Sequence, residues 1–182
     1  MEYGVFPADP VKGPDIPDEA TNRYRELSAD IASGVGVVST RLRGRDYAAT
    51  VSGFLSVSYD PPTLLVSLYA EARIAEAVVD AGSWALSLLP ARLRGTANWL
   101  ASPGSPLEGL LNQVDYGRGP ETGAAVIEGS VAWFEVRTTQ VTTAATHLLI
   151  VGEVVSMGRR ASADDEADPL VHFAGAYARL GR

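Results

Sequence analysis

The sequence predicts a mainly β domain with flanking helices, its antiparallel sheet closed or nearly closed into a barrel. Three observations predict it. Runs rich in β-branched residues dominate the chain, and they mostly arrive in adjacent pairs, as hairpins do. Turn signals built on Gly and Pro separate them. That pairing argues against a doubly wound α/β sheet, and no G-x-G-x-x-G loop leads a strand into a helix, Gly34-Val35-Gly36 being too short to count, so a Rossmann-type dinucleotide site is not expected. No internal repeat is visible.

The elements follow in order. Residues 1–18 carry four prolines and several acids without a steady period, and read as an extended or disordered arm. Residues 19–182 then form one domain. Residues 19–32 read as a helix, with Tyr24, Leu27 and Ile31 at i, i+3 and i+7. Gly34–Thr40 is a β-branched strand, and the turn at Gly44 sends it into a second strand over Tyr47–Ser58. Thr63–Tyr69 is a third strand. Residues 72–81 fit a helix burying Ile74, Ala77, Val78 and Ala81, with Gly82 just past its end. Ser83–Pro90 is a strand, and residues 91–102 are helical despite Gly95. Residues 102–106, SPGSP, are a loop. Residues 123–139 are two strands meeting at Gly129, or one strand bulged there. Residues 145–157 are another strand. A charged loop over 159–168 leads to the closing segment PLVHFAGAYARL.

Composition narrows the function. Apolar residues make up 46% of the chain, enough for a core of useful size. The net charge of −7 argues against a nucleic-acid partner, which needs a basic surface to neutralise phosphates. Fourteen of the fifteen basic residues are Arg, which a codon bias explains as well as phosphate chemistry does. With no Cys there is no disulfide, thiolate chemistry or Cys-ligated metal. His147 and His172 lie far apart without carboxylates at ligand spacing, so no metal site is expected. The first residues lack the apolar region of a secretory signal, and no apolar run of about 18 residues could span a membrane. The expected location is the cytoplasm.

The stretch TVSGFLSVSYDPP, residues 50–62, is the least ordinary. Strict alternation puts Thr50, Ser52, Phe54, Ser56 and Ser58 on one face, and Val51, Gly53, Leu55, Val57 and Tyr59 on the other. One reading is a solvent-facing polar surface over a core face. The other is a cradle: hydroxyls and backbone N–H groups donate to phosphate oxygens, and Gly53 lets a flat ligand approach the backbone. Asp60-Pro61-Pro62 then forces extended backbone and ends the pairing. Arg73, heading the next helix, could add a cation for an anion.

The same stretch, within Ala48–Leu68, resembles the flavin reductase-like, FMN-binding split-barrel family. The match runs through Thr50, Ser52, Phe54, Ser56, Val57, Ser58, Asp60, Pro61 and Pro62. AEAVVDAGSWALSLLP is similar to that family's helix–Gly–strand unit. THLLIVGEVVSM is similar to its His-containing strand, giving His147, Gly152, Glu153 and Val154. PLVHFAGAYARL is similar to its closing segment, giving Gly175 and Tyr177. Two positions depart: Thr146 stands where the family has an acid, and the hydroxyl usual at the head of the 72–76 helix is absent.

The resemblance implies an antiparallel split β-barrel that passes a hydride from NADH or NADPH to FAD or FMN. It implies flavin contacts from Thr50, Val51, Ser52, Gly53, Phe54, Ser56, Val57, Ser58 and Tyr59, with Arg73 near the phosphate. The nicotinamide would stack on the open ring face near His147 and Tyr177, with His147 as an orienter and no acid–base catalyst. A homodimer and a partner flavin-dependent monooxygenase supplied with reduced flavin are implied as well. His147 and Tyr177 also suit purely structural roles, and His172 reads as structural or exposed. Trp84, Trp99 and Trp133 read as core or interface anchors. Three alternatives stay open: a flavin-binding electron carrier without NAD(P)H turnover, a pyridoxamine-phosphate-oxidase-like or deazaflavin-dependent enzyme, and a barrel with a merely polar face.

Overall fold

The computed structural model describes residues 18–102, 109–159 and 168–180. All of the expected arm except Asp18, most of SPGSP and most of the charged 159–168 loop lie outside the described residues.

Helix α1 (Asp18–Ser28) comes first and ends before residue 32. Its apolar stripe does not enter the core: Tyr24, Leu27 and nearby Ile31 are 71%, 58% and 64% exposed. Strands β1 (Ser33–Gly34), β2 (Gly36–Leu42), β3 (Arg45–Val51), β4 (Phe54–Tyr59) and β5 (Pro62–Tyr69) follow. Helix α2 (Arg73–Ala81) and strand β6 (Ser83–Leu88) come next, then a 3-10 turn at Ala91–Leu93 that leads into helix α3 (Arg94–Ala101). Strands β7 (Tyr116–Arg118), β8 (Ala125–Ile127), β9 (Ala132–Ala144), β10 (His147–Gly158), β11 (Leu170–Phe173) and β12 (Ala176–Arg179) complete the described chain. The run over 123–139 is thus two strands, separated at Gly129, whose φ of +71° suits a residue without a Cβ.

Seven strands form the main antiparallel sheet, in the order β3-β2-β6-β9-β10-β5-β4. Strands β3 and β4 are its two edges, so hydrogen bonding does not close it into a complete barrel. Yet β3 ends at Val51 and β4 starts at Phe54. Three peptide links of about 3.8 Å each join opposite edges, which therefore lie within about 11 Å of one another. The sheet must curl until its edges almost meet. The Ser67 N–H donates to the Gly53 carbonyl at 2.7 Å and ties this crossing to β5.

That crossing corrects the sequence reading of one strand over Tyr47–Ser58. The chain changes edges at Ser52-Gly53, and alternation does not survive the change. Phe54 turns inward, its ring against Gly34 and Gly36. Leu55, Val57 and Tyr59, expected in the core, are instead half or more exposed, because β4 is an edge strand and none of the described residues covers that face. Nor does Asp60-Pro61-Pro62 end the pairing. It turns the chain into a β4–β5 hairpin whose pairing resumes at Tyr59↔Pro62, and the Ser58 hydroxyl accepts from the Asp60 N–H at 3.1 Å within the turn.

One core cluster fills the sheet beneath α2. It includes Val38, Val66, Trp84, Val136 and Ile150, all fully buried, with Ile74, Ala75 and Val78 of α2. Helix α2 ends where expected: Gly82 sits at φ +65°, and its N–H reaches the carbonyls of Val78 and Val79. A second cluster joins Val35 and Val37 to Ala97 and Leu100 of α3 and to Ile127. Buried hydroxyls fasten β8 over the sheet. Ser39 donates to the Ala125 carbonyl at 2.5 Å, and Ser87 accepts from the Ile127 N–H at 3.0 Å. The fully buried Glu135 carboxylate is satisfied the same way. It accepts from the N–H groups of Glu121 and Thr122 and, at 2.6 Å, from the Thr122 hydroxyl.

Candidate functional site

The crossing between sheet edges leaves a hollow of about 400 Å³. Its walls are Ala49–Gly53 from the end of β3, Ser67–Tyr69 from the end of β5, Ala72 and Ile74 beside the start of α2, and His147 at the head of β10. Each arrives for a local reason. The edge crossing exposes the backbone of Ser52 and Gly53. Antiparallel pairing sets His147 opposite Tyr69, so β5 ends where β10 begins. The rings of Tyr69 and His147 meet edge-on, with centroids 5.8 Å apart at 66°.

Hydrogen bonds hold the wall in place. Thr50 Oγ1 donates to the Ala97 carbonyl at 2.8 Å, which docks β3 on α3. The Thr146 hydroxyl and His147 Nδ1 share a hydrogen bond at 3.0 Å. At the position where the sequence departs from the resembled pattern, a neutral hydroxyl therefore orients the imidazole. The Tyr69 hydroxyl donates to Glu71 at 2.9 Å. This bond and the adjacent negative charge raise the Tyr69 pKa.

The structure divides the residues singled out in the sequence. Thr50, Val51, Ser52, Gly53 and His147 come together in the hollow. Phe54, Ser56, Ser58 and Tyr59 do not. They line a mainly apolar groove of about 310 Å³ with Leu86, Phe134 and Met157. Val57 lines neither. Arg73 is exposed at the head of α2, beside Ala72 and Ile74, but is not itself in the wall. Tyr177 lies in a separate hollow with Arg94 and His172. Burial raises its pKa against the opposing effect of the Arg94 charge.

Ser67, Leu68, Tyr69 and Ile74 were missed as wall residues. The signal was present in LLVSLY, a run apolar or aromatic except at Ser67. What sequence could not supply was the register that brings its end to His147.

The hollow suits a flat ring carrying a polar tail. Ile74, Leu68 and Val51 give it apolar surface; Thr50, Ser52 and Ser67 give hydroxyls. Gly53 gives clearance: a Cβ there would sit 3.3 Å from the Ser67 Cβ. Among the described residues no group of His, Asp and Glu could hold a metal ion, and no helix is long and apolar enough to cross a membrane.

The family model described as "Flavin reductase like domain" matches residues 28–181. The chain is 29% identical to the reductase component of 4-hydroxyphenylacetate 3-monooxygenase from Thermus thermophilus, over 86% of this chain and 95% of that protein. It is 30% identical to the NADH-dependent FMN reductase AsuE2 of Streptomyces nodosus subsp. asukaensis, over 86% and 83%. A probable flavin reductase of Rhizobium meliloti is 32% identical, but the match spans 72% of this chain and only 42% of that longer protein. Among solved structures, BorF, the flavin reductase component of a bacterial two-component tryptophan halogenase, superposes with a TM-score of 0.81 at 29% identity, over 89% of this chain and 99% of BorF.

Proposed function

Because the chain belongs to the family of flavin reductase-like domains, matched over residues 28–181, we propose that it catalyses hydride transfer from NADH to a flavin, FMN or FAD, bound in the Thr50–Gly53 hollow. One observation carries the placement: the residues of the family-like stretch that share a cavity, Thr50 to Gly53, share it with His147 from a second family-like stretch far along the chain. Relatives named as NADH-dependent FMN reductase and as a monooxygenase reductase component support the reaction class.

The flavin, when bound, supplies the hydride acceptor. The chain supplies the geometry. Ser52 and Gly53 present backbone and hydroxyl donors along one side of the ring, and the Ser67 hydroxyl stands beside Gly53 on that same side. Val51, Leu68 and Ile74 exclude water from the buried face. Exposed His147, held by Thr146, stands at the mouth and orients the nicotinamide. Transfer between two stacked rings needs no proton from the protein at that step, so no side chain is assigned as acid or base. Holding both rings together removes the entropy cost of their encounter, worth on the order of several kcal/mol.

Residues 19–182 act as one flavin reductase-like domain. A partner monooxygenase consumes the reduced flavin, and the reaction takes place in the cytoplasm, where NADH is held. Stopped-flow measurement of NADH oxidation, with FMN and FAD compared, tests the reading. Consumption that depends on added flavin is expected; a chain that neither binds flavin nor oxidises NADH with either one refutes it.

The chain acts as a homodimer. Leu55, Val57, Tyr59 and Met157 are all half or more exposed on or near the edge strand β4, which among the described strands pairs only with β5, beside the apolar groove. An apolar edge strand invites pairing. Leu55→Arg with Val57→Asp is expected to convert a dimer into a monomer in sedimentation equilibrium; a monomeric wild type would contradict it.

A further inference from the structure

We propose that the Thr50–Gly53 hollow selects its flavin by the ring and not by the phosphate, and that Glu71 at its rim disfavours the phosphate. Riboflavin is then as good a hydride acceptor as FMN. The inference rests on the flavin reductase reading and narrows the substrate class of that same site. The hydride balance is unchanged, because NADH gives two electrons and one hydrogen to the same ring in either flavin.

Three observations converge. The first is the wall. A phosphate is held by guanidinium or ammonium groups, or by several converging N–H and O–H donors. Among the described residues no Lys or Arg lines the hollow, and His147 is its one basic side chain. Two of its hydroxyls are already committed: Thr50 donates to the Ala97 carbonyl and Tyr69 to Glu71. Ser52 and Ser67 remain, and they stand on either side of Gly53 in the wall that the ring meets.

The second is the head of α2. A helix start can hold an anion through its first N–H groups. Here the N-cap is Ala72, which makes no side-chain cap hydrogen bond, and buried Ile74 follows it. Both line the hollow, and both add apolar surface without a donor. Arg73, between them, is exposed and lies outside the wall.

The third is charge. The Tyr69 hydroxyl holds the Glu71 carboxylate at 2.9 Å. Tyr69 and Ala72, which flank Glu71 in the chain, both line the hollow, so this carboxylate stands at its rim. Its charge helps raise the Tyr69 pKa, so its field reaches the wall. Glu76 adds a second carboxylate in the first turn of α2. A phosphate monoester carries nearly two negative charges near neutral pH. It is repelled there, whereas the hydroxyls of a ribityl chain are not.

The test compares wild type, Glu71→Gln and Glu71→Lys with riboflavin, FMN and FAD. Dissociation constants come from flavin fluorescence, and kcat/KM for each flavin from NADH oxidation. Wild type is expected to bind and reduce riboflavin within about threefold of FMN. The ratio of FMN to riboflavin affinity should move toward FMN roughly threefold in Glu71→Gln and roughly tenfold in Glu71→Lys. Both shifts should shrink as salt is added, as Coulomb forces at an exposed rim do. Loss of the Tyr69 hydrogen bond alone would weaken all three flavins alike and leave the ratio in place. A wild type that prefers FMN or FAD over riboflavin by tenfold or more overturns the proposal, as does an unmoved ratio in Glu71→Lys. A wild type that binds none of the three refutes the underlying reductase reading instead.

Discussion

Gly152→Ala is expected to destabilise the folded chain by about 3 kcal/mol. A Cβ built on Gly152 would lie 2.4 Å from the Arg137 carbonyl oxygen and 2.5 Å from Val136 Cγ1. The cause is a β-bulge. Val151 pairs with Gln140 but Gly152 pairs with Thr138, so β9 carries one extra residue there. The bulge turns the β9 backbone into the space a side chain would take. A backbone carbonyl in mid-sheet cannot swing aside as a flexible side chain can, so relief requires moving both strands. Urea unfolding should show a lower midpoint at unchanged slope, and the melting temperature should fall by roughly 10 °C. Retention of wild-type stability would mean that the bulge is not built as described. Because β10 carries His147 at its head, partial retention of fold should come with weakened flavin binding as well.

Gly53→Val is expected to abolish most flavin binding, by about a hundredfold, while the fold survives. Gly53 lies on the wall of the hollow, and even a methyl there sits 3.3 Å from Ser67 Cβ. A valine adds further bulk to a site built for close approach of a ring. An exposed edge crossing can absorb that bulk toward solvent, whereas a ligand in the hollow cannot avoid it. Gly53→Ala should give an intermediate loss. Fluorescence titration with FMN, alongside thermal unfolding, separates binding from stability. A valine variant that binds FMN as tightly as wild type would move the flavin site elsewhere.

Much of the fold was legible because its signals are local. Helix α2 announced itself through Ile74, Ala77 and Val78 at helical spacing and through Gly82 past its end. Strand β6, expected over Ser83–Pro90, spans Ser83–Leu88, with both faces buried over Trp84–Ser87. The resemblance at Thr50–Pro62, His147 and Tyr177 pointed to a flavin reductase, and the family match agrees. The site was legible only in part. Thr50–Gly53 and His147 do share a hollow, but Phe54, Ser56, Ser58 and Tyr59 sit across the crossing from it, and Tyr177 lies in a different hollow. Alternation along an uninterrupted strand had put all the hydroxyls on one face. Nothing in the spacing marks Ser52-Gly53 as the point where the chain leaves one sheet edge for the other. α1 shows the same limit, since its apolar period is real while its burial depends on what lies beside it.

The sequence by itself determined the β-rich class, the end of α2 at Gly82 and the kind of chemistry, because turn residues, apolar periods and family-like stretches act over a few neighbouring positions. Only the tertiary structure decided which strands became edges, that β5 delivers Ser67 and Tyr69 to His147, and that Arg94 faces Tyr177. Those outcomes follow from strand order and register, and pairing partners far apart in the chain leave no periodic trace in either segment alone.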